Sequence, residues 1–330
     1  MCIILVMLTH CCVDSVYLFP GLVELRMPLY FVLSGLFFKP YGGFGGFCVK
    51  KINKLLVPMA FFFFTGYLFE YLYHGYEKMH GVSSTLYYNI FDNFTLDYDW
   101  WCKPLWPNNP IWFLLCLFWD NLMFYGVMKA FNRRIAQLIA IAVLGIAGYV
   151  LASNEVRIPL FGIASLSSMP FFYLGYVLKN SGILYPSGNA NKELAIGVAL
   201  VAGAMAASCF NKSYFEFYLN LVHGDVFSVY VVAASMVVGV LLICKRIKHI
   251  PYVSYLGRYS VIALGFHMSM IPILTHLQNK FGTPSDIVNF VLLLVIMPLF
   301  IVFSRKFLPY VTAQKDLVGG TWTLRRQAGV

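Results

Sequence analysis

The strongest constraint on this chain is a recurrence of apolar runs close to twenty residues long. Ten can be read, at about 1–19, 25–38, 55–74, 110–130, 134–152, 158–178, 193–210, 226–244, 255–277 and 286–304. A helix of about twenty residues rises about 30 Å, the thickness of a bilayer's hydrocarbon layer. A transmembrane barrel would instead show short alternating segments. With 60% of its 330 residues hydrophobic and only 12% charged, a soluble domain of this size could not hide its apolar surface. The expected fold is all-α, a polytopic bundle of about ten transmembrane helices. Residues 1–310 form its membrane domain and 311–330 a cytoplasmic tail. The second run is short for a full span, and the ninth carries several polar groups. No internal repeat or second domain is visible.

Net charge of +10 could suggest nucleic acid, but its distribution argues otherwise. With the N-terminus inside and strict alternation, 18 of the 24 Lys and Arg residues fall on inside connections and the C-terminal tail. That bias supports an N-in, C-in topology. Acids such as Glu70, Glu77, Asp92, Asp97, Asp99, Glu155, Glu216, Asp225 and Asp286 collect on the outer side. The basic excess therefore reads as an inner rim facing anionic lipid or an anionic small molecule, with no nucleic-acid partner. Eight cysteines show no CxxC pair and no metal-ligand spacing, so no metal site and no disulfide framework is expected.

Titratable groups inside lipid are costly unless paired or solvated, which makes them candidates for function. His10 lies in the first run, with Asp14 four residues on and so on the same helical face. His267 lies in the ninth run, and Arg26 opens the second ahead of Pro28. Imidazole suits general-base activation of a hydroxyl near neutral pH. The plainer alternative for each histidine is a core residue bonded to a backbone carbonyl. Lys50, Lys51 and Lys54 at one membrane boundary could hold the phosphates of a nucleotide-bearing donor, or simply mark the inner side. Ser34-Gly35 permits close helix approach. The long outer connection, about 75–109, places Tyr98, Trp100 and Trp101 among polar residues. That suits sugar stacking, and equally an interfacial aromatic belt. A carrier or flippase of a glycan or lipid precursor would use the same composition. Such carriers tend to have inverted halves, and none is visible here.

Several pieces taken in order resemble the acyltransferase 3 family of integral-membrane O-acyltransferases, especially its fucose-4-O-acetylase-like branch. They are Leu5-Val6-Met7-Leu8-Thr9-His10, Arg26 through Gly35 (RMPLYFVLSG), Lys50 through Pro58, Asn109-Pro110-Ile111-Trp112-Phe113-Leu114, Tyr173-Leu174-Gly175-Tyr176 and Tyr255 through Ser260 (YLGRYS). The resemblance implies transfer of an acetyl or other short acyl group from acyl-CoA, a donor substrate and no permanently bound cofactor. The acceptor would be a sugar hydroxyl of a surface polysaccharide or lipid-linked glycan, and the location the cell's inner (plasma) membrane. It implies His10 as the catalytic residue, with Asp14 and His267 assigned beside it. Lys50, Lys51, Lys54, Arg26 and Ser34 are assigned to the donor, and Trp112, Asn109 and Arg258 to the acceptor. The family also carries a basic residue about ten positions before the histidine. Here the chain begins nine residues before His10, and the expectation is that its start is placed late.

Overall fold

In the computed structural model, α-helices lie over all ten apolar runs. The structure describes residues 2–12, 21–40, 42–74, 108–156, 158, 160–185, 189–211, 213–217, 221–247 and 249–319. In chain order the helices are α1 (Cys2–Cys11), α2 (Leu22–Leu36), α3 (Gly43–Lys51), α4 (Val57–His74), α5 (Trp112–Ala130) and α6 (Arg134–Ser153). They continue with α7 (Gly162–Ser181), α8 (Ala190–Phe210), α9 (Val226–Arg246), α10 (Pro251–Arg258), α11 (Ser260–Phe281) and α12 (Asp286–Phe307). Among the described residues seven helical stretches are long and apolar enough to cross a bilayer, from Gly43–Phe69 to Asp286–Phe307. The protein is an all-α, multi-pass membrane bundle.

Its surface shows why the apolar periodicity of a soluble helix is missing. Along α12 the buried residues Asn289, Leu293, Met297, Ile301 and Ser304 form one stripe. Ile287, Val291, Val295, Leu299 and Val302 form the exposed one. On α6 the buried stripe includes Gln137, Gly145, Gly148 and Ala152, while Ile135, Leu138, Ile139, Val143 and Ile146 point outward. Small and polar residues share the buried stripes with a few large apolar ones, whereas these exposed stripes are wholly branched and apolar. That pattern fits lipid as the surrounding solvent, because helix association there depends on close packing rather than on hydrophobic burial.

Three expectations about boundaries change. The basic run is helical, not a connection: α3 passes through a π-helical turn, Ile52–Leu56, straight into α4. A π turn inserts an extra residue into the helix and rotates the side chains that follow it. The ninth run is split at Tyr259 into α10 and α11. A short antiparallel hairpin, β1 (Tyr214–Glu216) and β2 (Leu221–His223), joins α8 to α9, with Phe215 opposite Val222.

Two motif glycines face one another. A Cβ at Gly35 would sit 1.8 Å from the Phe172 carbonyl oxygen, and one at Gly175 would sit 1.9 Å from that of Val32. Helices α2 and α7 therefore meet backbone to backbone, which no larger residue permits. Beside this crossing Phe38, Phe47, Phe124, Tyr125 and Phe172 form an aromatic cluster. It joins α2, α3, α5 and α7 on one side of the bundle.

Candidate active site

The two histidines that are 257 positions apart in sequence come together. Helix α1 rests against α2, α10, α11 and α12, with Ile3, Val6 and Met7 buried. This carries His10 to α11, where its ring centre is 5.2 Å from that of His267, the planes tilted by 48°. His267 is fully buried. Its Nδ1 lies 2.9 Å from the Leu264 carbonyl oxygen and 3.1 Å from that of Ala263. Carbonyls only accept, so Nδ1 carries the hydrogen and Nε2 presents a lone pair. Nε2 is buried and has no hydrogen-bond partner among the described residues. His267 thus does with one nitrogen what a core histidine does, and leaves the other unpaired among the described residues, in a ring packed beside His10. Arg26 lies on α2, one of the helices against which α1 rests. Asp14, expected to orient His10, lies outside the described residues, as do residues 75–107 of the long connection.

One turn from this pair the chain before α5 enters the bundle. Asn108 is fully buried, and its amide donates to the carbonyl oxygens of Phe62 (3.1 Å) and Gly265 (2.7 Å). It ties α4 to α11 two residues before His267. Gly265 allows the contact: a Cβ there would fall 2.2 Å from the Phe62 ring. With both amide hydrogens committed, the Asn108 Oδ1 is a bare buried acceptor, and so is the Asn109 Oδ1, among the described residues. Trp112 is buried against Phe161, ring centres 5.5 Å apart. Ser34 bonds back to the Tyr30 carbonyl oxygen at 2.9 Å, a local helix contact. Arg258 is exposed at the end of α10, its guanidinium 5.8 Å from the Tyr259 ring, nine residues short of His267.

The basic run forms a second constellation, and it involves a segment that sequence reasoning did not connect to it. After α12 the chain turns back over α3 and the π turn. The Lys50 Nζ lies 2.9 Å from the Asp316 Oδ2, and the Lys54 Nζ lies 3.5 Å from its Oδ1. Lys54 also donates to the Ala313 carbonyl oxygen at 2.5 Å. Between them Asn53, only 1% exposed, reads the tail's backbone. Its Oδ1 accepts from the Leu317 and Val318 amides at 2.7 Å each, and its Nδ2 donates to the Val318 carbonyl oxygen at 2.9 Å. Lys51 stays out of this arrangement, its ammonium 5.3 Å from the Phe47 ring centre. Burial would push the Asp316 carboxyl up, but the hydrogen bond and charge of Lys50, with Lys54, outweigh it and hold the group below its usual range. The ion-pair side chains are about a third exposed, so each contributes at most ~1 kcal/mol after screening. Asn53 supplies the geometric specificity.

Two buried polar groups had no sequence motif to flag them. On α5, Asp120 is fully buried and accepts from the Ser168 hydroxyl of α7 at 3.0 Å, one turn from the Ser165–Cys116 contact. On α2, Glu24 is 5% exposed and lines a small cavity with Phe171, Tyr214, Phe217 and Val229 beneath the hairpin. Among the described residues no three His, Cys, Asp or Glu side chains are grouped so as to hold a metal ion.

A family model described as an acyltransferase domain, acyltransferase 3, matches residues 1–304. No curated protein and no solved structure matches the chain.

Proposed function

From the premise that this chain belongs to the acyltransferase 3 family and is an acyltransferase, we propose that it moves an acetyl or other short acyl group from acyl-CoA to a sugar hydroxyl. The acceptor in this reading is a surface polysaccharide or a lipid-linked glycan, and the membrane is the cell's inner one. The finer placement, in the fucose-4-O-acetylase-like branch, rests on the motif resemblance. With the family established, the carrier reading has no observation in its favour.

The observation that carries the proposal is the His10–His267 pair inside a membrane bundle. A thioester and an alcohol react slowly at neutral pH because the alcohol is a poor nucleophile until a base takes its proton. In our reading His10 supplies that base. The hydroxyl oxygen attacks the thioester carbonyl, the new C–O ester bond forms, and the C–S bond breaks. The proton held by His10 passes to the departing thiolate. In the two-step variant the imidazole first takes the acyl group and then yields it to the alcohol. Both use the same ring. The open Nε2 of His267 supports a role as partner, accepting a hydrogen bond from His10 as that ring gains positive charge. Lys50 and Lys54 at the rim attract the donor's phosphates, and the acceptor sugar offers hydroxyl donors to the bare oxygens of Asn108 and Asn109.

The test is transfer of labelled acetyl from acetyl-CoA to the cell's glycan fraction in membrane vesicles. His10→Ala, present in the membrane at wild-type level, should lose transfer. Transfer at the wild-type rate would reject the assignment.

A further inference from the structure

The contact between the C-terminal tail and the basic run needs an explanation beyond packing. Lys50 and Lys54 converge on one carboxylate, with Nζ–oxygen distances of 2.9 Å and 3.5 Å. A pair of lysines around a single acidic group is also how a protein holds one phosphate. The segment that delivers the carboxylate is short and irregular. Beyond α12 it turns on itself, with the Gln314 and Lys315 amides both bonded to the Pro309 carbonyl oxygen and Ala313 at φ 63°. Thr312 is buried, and three residues of one helical stretch, Lys50, Asn53 and Lys54, make polar contacts to the segment.

We propose that the tail, Leu308–Val318, is a built-in competitor of the acyl donor: Asp316 occupies the two-lysine site that a donor phosphate takes, and the tail yields when the donor enters. This rests on the reading of Lys50 and Lys54 as donor contacts. The charges favour such an exchange. A phosphate monoester carries about −1.5 to −2 near neutral pH, against −1 for the carboxylate, so it outcompetes Asp316 for the same two cations. The exchange is also reachable, because the Asp316 side chain is 28% exposed and that of Lys50 36%. Asn53 makes it reversible. Three of its four bonds are to tail backbone and the fourth is to the Val49 carbonyl oxygen of its own helix, so the tail bonds re-form whenever the site empties and do not depend on the anion. The tail then sets a threshold of donor concentration without touching the histidines.

Donor kinetics of the full-length chain in membrane vesicles test this, with acetyl-CoA as the probe. Asp316→Asn should lower the KM for acetyl-CoA about two- to five-fold, the factor matching a partly exposed ion pair of up to ~1 kcal/mol. It should leave kcat unchanged. Asp316→Glu, which keeps the charge, should restore the wild-type KM. Lys50→Ala/Lys54→Ala measures the underlying reading separately. A raised KM there with no decrease in Asp316→Asn overturns the competitor proposal and leaves the donor site standing. An unchanged KM in the lysine pair rejects the donor site and the proposal with it. On the unmodified chain, free coenzyme A should speed tryptic cleavage after Lys315, which is exposed and adjoins Asp316. Slower cleavage would mean that donor and tail bind together, and would also overturn the proposal.

Discussion

The histidine pair and the basic rim solve opposite problems with the same kinds of side chain. At the rim, Lys50, Asn53 and Lys54 each find a partner in the tail. In the interior, the Nε2 of His267 and the Oδ1 atoms of Asn108 and Asn109 have none among the described residues. Leaving a buried acceptor bare costs about 1–3 kcal/mol, far more than it costs at a wet surface. A bundle that spends stability this way in its interior, while closing its rim internally, has an interior arranged for groups that bring donors. Its rim, by contrast, must be opened. The contrast also separates two kinds of polarity in this membrane protein. Asp120 is buried like His267 and its Oδ2 is likewise bare among the described residues, yet its Oδ1 meets a hydroxyl on α7, whereas His267 meets a second titratable ring from another helix.

That contrast can be broken experimentally, beginning where it is sharpest. His10→Ala should lower kcat about 100- to 10,000-fold, the usual range for a general base, in vesicles that contain the protein at wild-type level. His267→Ala should cost about 10- to 100-fold, the equivalent of a charge-assisted hydrogen bond worth ~1.5–3 kcal/mol. If it instead melts the protein and leaves the residual kcat untouched, the ring is structural and the comparison fails. Asn108→Ala removes both bonds between α4 and α11. It should destabilise the detergent-solubilised protein by about 1–3 kcal/mol, read as a lower melting temperature. A smaller effect is expected of Lys50→Ala/Lys54→Ala: a KM for acetyl-CoA raised about ten-fold, with the difference shrinking at high salt as screening grows. The smallest concerns pH. The Asp316 carboxyl is held below its usual range by Lys50 and Lys54, which face it. Its contribution to tail docking is therefore complete above the ordinary carboxylate range and lost as pH falls through the lowered value. Hydrogen-exchange rates at the Leu317 and Val318 amides, which donate to Asn53, measured during the acid exposure and corrected for their intrinsic pH dependence, should rise only there. A rise at neutral pH would break the argument.

The ten apolar runs were legible because a bilayer demands helices of one length, and length survives in a single sequence. Boundaries were less legible where polar groups sit inside a helix. Lys50, Lys51 and Lys54 read as a connection, yet they belong to continuous helix through a π turn, since hydropathy cannot distinguish a charged helical end from a loop. The split at Tyr259 and the short hairpin escaped for the same reason. Site residues followed a different rule. His10 and His267 stood out because ionisable groups are rare in apolar runs. Asn108, Asn53 and Asp316 did not, since each lies outside such a run or beside charges, and only a partner distant in sequence gives it meaning.

Taken by itself, the sequence determined that the chain is a helical bundle in lipid, which end of each helix is basic, and that two histidines lie within the apolar spans. These are consequences of solvent transfer energy, which acts residue by residue and so can be read along a line. The tertiary structure alone decided that the two rings meet at 5.2 Å, that Asn108 bridges α4 and α11, and that the tail folds back onto the basic run. Those depend on how helices cross. Close approaches such as Gly35 against Gly175 set the crossings, and contacts of that kind join residues between which the sequence carries no local signal.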